Sequence, residues 1–377
     1  MGRSFVVDVN PKIIEWARES AGWSLEEISK KLKLPEEEYQ KIESGEKNPT
    51  FKQLELMAEY FKRPLTVFFL PEPPKEKPIT TYFRVLPKGK SVFSKELRFA
   101  IRKAQYLQSI SKELMEDLGI DPKRKIEKRN LQEDPVKVAQ EEREKIGISI
   151  EEQTKWRDPY TAFKNWRFAI ESKNVFVFQF DFSVESARGF CLTEEDPPVI
   201  VINFKDDIRA RIFTLFHEYA HVILGISEIY SEEMNNIDVE NWCNTFAGEF
   251  LIPKKALEKD KDFLSFLRSK RLEPELFEKL SKRFKVSKRA MLTRLKTLNL
   301  IGEDEYKKEL DKLEKPFPTK REGYLPPEKK CIQEKGKRFI SIVLESKEKE
   351  IITTHDLVEY LSINLKYLKN LLGLITK

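Results

Sequence analysis

Long apolar runs, cysteines and histidines are all scarce in this chain of 377 residues. No stretch of about 18 consecutive apolar residues occurs, which argues against a membrane-spanning helix. The start, Met1 to Asp8, lacks the apolar core and small-residue cleavage site of a secretory signal, so a cytoplasmic protein is expected. Cys191, Cys243 and Cys331 are odd in number and far apart, which fits neither a disulfide framework nor a C-x-x-C clamp; reduced thiols are expected. No internal repeat or low-complexity tract is visible. Only three histidines occur, and two of them, His217 and His221, sit four apart around Glu218.

What is present is 40% hydrophobic residues, enough to build cores in two or three domains, and a net charge of +6 that is small for a chain with 35% charged residues. Its distribution is uneven. Met1 to Leu70 has eleven Lys/Arg against twelve Asp/Glu, whereas Arg84 to Arg129 has thirteen against six. A basic stretch can track phosphates, although most charge runs are solvated helix faces.

The first seventy residues read as a string of short helices. One runs from Pro11 to Ala21 and stops at Gly22; Ser24 with Glu27 three places on forms a capping box for the next, through Lys31. A third is expected from Pro35 to Glu43 with Gly45 past its end, and a fourth from Phe51 to Tyr60. The proline cluster after Leu70 marks a boundary. A long helix from Ser94 to Leu118 follows, then one opened by Asp134-Pro135, then a helix from Tyr160 to Ile170. Asn174–Phe182 and Pro197–Asn203 read as strands, with a reversal at Ala187–Phe190 between them, and Val199 to Asn203 is a candidate edge for pairing with a substrate peptide. After Pro316 a β-prone run, Phe339 to Leu344, precedes a helix capped near Thr354.

In the run Phe-His-Glu-Tyr-Ala-His the spacing of His217 and His221 puts both imidazoles on one face of a helix, expected from Asp207 to Leu224, with Glu218 beside them. Phe213, Phe216, Ala220 and Leu224 share that stripe, so a metal would sit at the edge of a buried face. Two inward imidazoles on one turn would otherwise need several polar partners. A catalytic zinc has three protein ligands, so a third is required. His355 is remote in sequence and expected to be an exposed residue at a helix start. No H-x-x-G-x-x-H continuation follows His221, which removes the metzincin pattern. The helix around 237–253 supplies two candidates: Glu240, which shares a face with Asn244 and Ala247, and Glu249, half a turn away. Tyr219 and Tyr230 are the nearby phenols that could steady an oxyanion.

Two resemblances are carried by these residues. "LEEISKKLKLPEEEYQKIESGEKNPT" resembles the five-helix Cro/repressor-type helix-turn-helix, the XRE family, through Ile28, Leu32, Leu34, Tyr39, Ile42 and the Glu43, Gly45, Pro49 signature. It implies binding to double-stranded DNA, with Gln40, Lys41 and Lys47 as candidate contacts, although Glu36, Glu37 and Glu38 stand where the family's reading helix meets phosphates. "FTLFHEYAHVIL" followed by "ENWCNTFAGEFLIP" resembles the ImmA/IrrE metallopeptidase family. This implies Zn2+ held by His217, His221 and Glu240, Glu218 as general base, and Asn244 orienting an imidazole; Cys243 replaces the usual Ala, a small-for-small change expected to be harmless.

The expected fold is α+β and mostly helical. It comprises an N-terminal five-helix helix-turn-helix domain (1–75), a basic helical connector (76–150), a zincin-like metallopeptidase domain with a small sheet (151–315) and a small C-terminal module (316–377). The expected function is a gluzincin-like zinc-dependent regulatory endopeptidase acting on a partner protein, a transcriptional repressor by the resemblance. The alternative is a DNA-binding transcriptional regulator or antitoxin whose zinc site is structural or vestigial.

Overall fold

The computed structural model describes residues 5–75, 94–183, 187–225, 236–269, 273–313 and 325–375. The fold is α+β and mostly helical, and the described residues fall into two compact units with a boundary after Lys103.

The N-terminal unit is built from α1 (Pro11–Ala21), α2 (Leu25–Leu32), α3 (Glu36–Glu43), α4 (Phe51–Phe61) and a 3-10 turn at Leu65–Phe69. Each start has a local cause. Asn10 caps α1 ahead of Pro11, Ser24 and Glu27 close a reciprocal capping box on α2, and Thr50 and Gln53 close another on α4. Gly22 ends α1 at φ 75°, which a side chain would resist. Ile13, Ile14, Ile28, Tyr39, Ile42 and Leu54 lie in one apolar core. Arg18 adds a two-pronged tie from α1 to α3, with Nε 2.7 Å from Glu43 Oε1 and Nη2 3.1 Å from Oε2.

The long helix α5 (Lys95–Asp117) contains the boundary between the units. The second unit continues with α6 (Pro135–Ile146), α7 (Ile150–Lys155), α8 (Pro159–Glu171), β1 (Phe176–Phe180), β2 (Gly189–Leu192), β3 (Val199–Asn203), α9 (Ile208–Leu224) and α10 (Asn236–Leu251). Then come α11 (Lys254–Leu257), α12 (Lys261–Ser269), α13 (Pro274–Phe284), α14 (Lys288–Thr297) and α15 (Glu303–Leu313), followed by α16 (Pro327–Glu348), α17 (Thr354–Leu361) and α18 (Leu368–Ile375).

The three strands order as β1-β3-β2, with β3 parallel to β1 and antiparallel to β2. This corrects two expectations. Val199–Asn203 is the central strand, bonded on both sides, so its edge is not available to a peptide; and Gly189 and Phe190, the second half of the expected reversal, instead open β2, an outer strand. Every residue of β1 and β3 is buried, as expected for strands covered on both faces.

A third correction concerns Phe339 to Leu344, which is helical, inside α16. Its β-branched residues favour a strand locally. The buried set Phe339, Ile340, Val343 and Ser346, after a kink at Gly336, falls on one helical face, however, and α16 packs on β1. Phe176, Phe178 and Phe180 stack along one side of β1, and the Phe339 ring meets the first two edge-on. Residues 325–375 share a compact unit with the sheet. Among the described residues of the basic stretch, Lys95 pairs with Glu27, Arg124 with Asp196, and Arg129 with Glu127, Glu133 and Glu141.

Candidate metal centre

Helix α9 starts where the Asp207 side chain accepts from the Arg209 amide, and it is more deeply buried than a single stripe would require. Ile212, Leu215, Phe216, Tyr219, Ala220, Val222 and Ile223 are all enclosed, which makes α9 a central core helix packed by α8, α10, β2 and β3. Phe216 stacks on Phe250 of α10 with ring centres 4.2 Å apart, and Trp166 of α8 meets Phe216 edge-on. This packing fixes α10 against α9 and brings Glu240 to the histidines.

The donor atoms converge. His217 Nε2 lies 3.3 Å from His221 Nε2 and 3.3 Å from Glu240 Oε2, and His221 Nε2 lies 3.4 Å from Glu240 Oε1. A tetrahedral site with metal–ligand distances of about 2.0–2.1 Å has edges of about 3.3 Å. The three residues could thus hold a metal ion with little movement. The protonation pattern agrees. Asn244 Oδ1 sits 3.1 Å from His217 Nδ1, so Nδ1 donates and the lone pair of Nε2 faces the other donors.

The surrounding charge favours a cation. Burial would lower the His221 imidazole, but the neighbouring Cys243 sulfur, Glu240 and Glu218 carry it well above its ordinary value. Burial would likewise raise the Glu240 carboxyl, yet hydrogen bonds with His217 and His221 hold it well below the carboxylate range. Both shifts say that these atoms stabilise positive charge. Glu218, only 8% exposed, is pushed up chiefly by burial, with the two imidazoles opposing. A carboxyl moved towards neutrality in this way is suited to exchanging protons.

The other candidates lie elsewhere. Glu249 is fully buried but faces away, accepting from Arg294 and, at 2.9 Å, from Gln140 Nε2. Tyr219 is also enclosed, its hydroxyl donating to Glu142 Oε2 at 3.1 Å, so it does not serve the centre. Tyr230 lies outside the described residues. His355 is exposed on α17 near Glu359. In the N-terminal unit Gln40, Lys41 and Lys47 are exposed on or just after α3, and both lysines pair with Glu38, which offsets part of the charge they would offer to phosphate.

Three neighbours of the centre were not expected. Cys243 is not an inert filler: its sulfur lies beside His221, whose buried Nδ1 has no aligned hydrogen-bond partner. Its position three residues after Glu240, on the same helical face, was the available signal. Cys191 of β2 hydrogen-bonds Glu218. Gly189 of β2 passes so close to α9 that a Cβ there would lie 2.6 Å from Thr214 Cγ2, 2.9 Å from the Val201 carbonyl oxygen and 3.3 Å from Glu218 Cγ. Because the Val201 oxygen belongs to the paired strand, it cannot yield cheaply. Gly189→Ala is therefore expected to cost about 1–3 kcal/mol, read as a lowered denaturation midpoint.

Comparison with protein families gives two matches. The Peptidase_M78 model, described as an IrrE N-terminal-like domain, matches residues 170–296, and the HTH_3 helix-turn-helix model matches residues 14–68. Comparison with curated proteins gives no match. The first match contains α9, β2, β3 and α10, the elements that bring His217, Glu218, His221, Glu240 and Asn244 together. The chain thus has the ImmA/IrrE architecture, in which an XRE-type helix-turn-helix domain precedes an IrrE N-terminal-like domain of the peptidase M78 family.

Proposed function

We propose that this chain is a zinc-dependent endopeptidase that cuts a peptide bond in a partner protein, with a transcriptional repressor as the expected substrate. The observation that carries the proposal is the convergence of His217, His221 and Glu240, with the two Nε2 atoms 3.3 Å apart and one Glu240 oxygen 3.3 or 3.4 Å from each, beside a buried carboxyl. His217, His221 and Glu240 would hold zinc, and bound zinc supplies a water acidic enough to act as a nucleophile near neutral pH. Glu218 takes the proton as the carbonyl is attacked and returns it to the departing amine. Asn244 keeps His217 in its ligating tautomer. Its replacement by alanine is expected to weaken zinc binding about 10–100-fold, measured by competition with a chelating dye.

Gly189, the first residue of β2, lies against Glu218, so a substrate that reaches the base passes beside the start of that strand. The deciding experiment joins metal analysis of the purified protein with co-expression capture by the Glu218→Gln variant. One divalent cation per chain and one captured protein, cut at one site by the parent chain, is the expected result. A cation retained undiminished after Glu240→Ala would remove the ligand set.

The N-terminal domain carries a second reading, a DNA-binding regulator whose zinc site is structural or vestigial, because its helix-turn-helix fold presents Gln40, Lys41 and Lys47 to solvent. With Glu36, Glu37 and Glu38 opening α3, we expect gel-shift titration over random-sequence DNA to retain no selected motif. A selected motif with a steep salt dependence would favour the second reading.

A further inference from the structure

The second unit has a cavity of about 730 Å³ between α8, the start of α9, β1 and the first half of α16. None of its lining residues is His217, Glu218, His221 or Glu240. Its walls are mainly apolar: Phe163, Phe168, Ile208, Leu325 and Ile332, with Tyr160 near the mouth. Phe168 and Tyr160 are 69% and 58% exposed, a large aromatic surface to leave facing water. Volume and lining are those of a small-molecule site.

The floor is polar and pre-organised. Gln179 of β1 donates to the Gln333 carbonyl of α16 at 2.8 Å and accepts from Arg211 of α9 at 3.2 Å. Arg167 of α8 donates to Glu171 at 2.9 Å and to the Gln333 carbonyl at 2.7 Å. All four side chains are at most 6% exposed, so one network holds four elements around the space. Among the described lining residues there are two arginines and three lysines, Lys164, Lys329 and Lys337, against a single carboxylate, Glu171, which Arg167 already engages. Apolar walls under an excess of positive charge select an occupant with an apolar body and an anionic head.

We propose that this cavity binds a small amphipathic anion, an aromatic or medium-chain acyl carboxylate, at a site separate from the metal centre. The site is independent of the peptidase reading. It would remain if the chain cleaved nothing.

The test is a fluorescence titration of the purified full chain with 8-anilinonaphthalene-1-sulfonate, an apolar anion, in competition with octanoate or with octylammonium. The expected result is one saturable site, displaced by octanoate and not by octylammonium, and unchanged by a metal chelator. Lys164→Glu combined with Lys329→Glu, both at exposed positions, is expected to weaken the dye by at least about tenfold without moving the melting temperature. Ile332→Trp is expected to fill the cavity and abolish binding. Equal displacement by octylammonium would mean an apolar patch without charge preference, and parent-like affinity in the two-lysine variant would mean that the dye sits elsewhere. Loss of binding on metal removal would place it in the metal centre. Each of these three outcomes overturns the proposal.

Discussion

Glu218→Gln is expected to reduce cleavage of the captured partner by about 10²–10⁴-fold while metal content stays that of the parent chain. The amide keeps the volume and shape of the carboxyl beside Cys191 and Gly189, and it leaves His217, His221 and Glu240 untouched. What it removes is the capacity to take and return a proton. Thermal stability separates this from structural damage. Burial raises the carboxyl in the folded chain, so in metal-free protein ionised Glu218 costs stability at any pH above its folded value; that cost is absent below its ordinary value near 4.5 and grows as pH rises between the two. Metal-free Glu218→Gln is therefore expected to melt no lower than the parent at neutral pH. Quantitation of intact and cut partner by mass spectrometry, beside metal analysis, checks the first part. Cutting at the parental rate would exclude Glu218 as the base.

The second large effect is on folding. Arg294 of α14 and Glu249 of α10 are each only 1% exposed and form an ion pair, and Arg294 Nε also donates to the Ile252 carbonyl at 3.0 Å. Removing one partner leaves an uncompensated buried charge, which typically costs about 3–5 kcal/mol. Arg294→Ala is expected to lower the melting temperature on the order of 10 °C. Because the pair anchors the end of the helix that carries Glu240 and Asn244, metal affinity is expected to fall with it. Replacing both partners, Glu249→Leu with Arg294→Met, should recover most of the stability, since apolar residues of similar volume can replace a buried pair at little cost. A double variant as unstable as Arg294→Ala would show that the loss comes from packing and not from the stranded charge.

The elements that were legible in the sequence are those governed by local chemistry. Ser24 with Glu27 and Pro11 before Gly22 mark helix ends within a few residues, and the four-residue spacing of His217 and His221 places them on one turn. Features that depend on distant chain were not legible. Val199–Asn203 has the composition of any buried strand, and only the pairing of β1 and β2 on its two sides makes it central. Phe339–Leu344 carries three β-branched residues in six, which favours a strand locally, but the helical period emerges only across the longer span that packs on β1. Helical spacing alone left Glu240 and Glu249 both open, and the family resemblance pointed to Glu240; that Arg294 of α14 engages Glu249 could be seen only in the folded chain. Gly189 could not be singled out, because its need for no side chain comes from Thr214 and Val201, remote residues folded against it.

The three stacked rings of β1 have a last consequence. Phe339, the ring that meets Phe176 and Phe178, comes from the final sixth of the chain. A polypeptide ended at residue 315 would leave a ladder of naked phenylalanines along one strand, a sticky strip prone to self-association. The tail therefore acts as a lining sewn onto the sheet, and trimming it to isolate the part that holds the metal centre is expected to cause clumping.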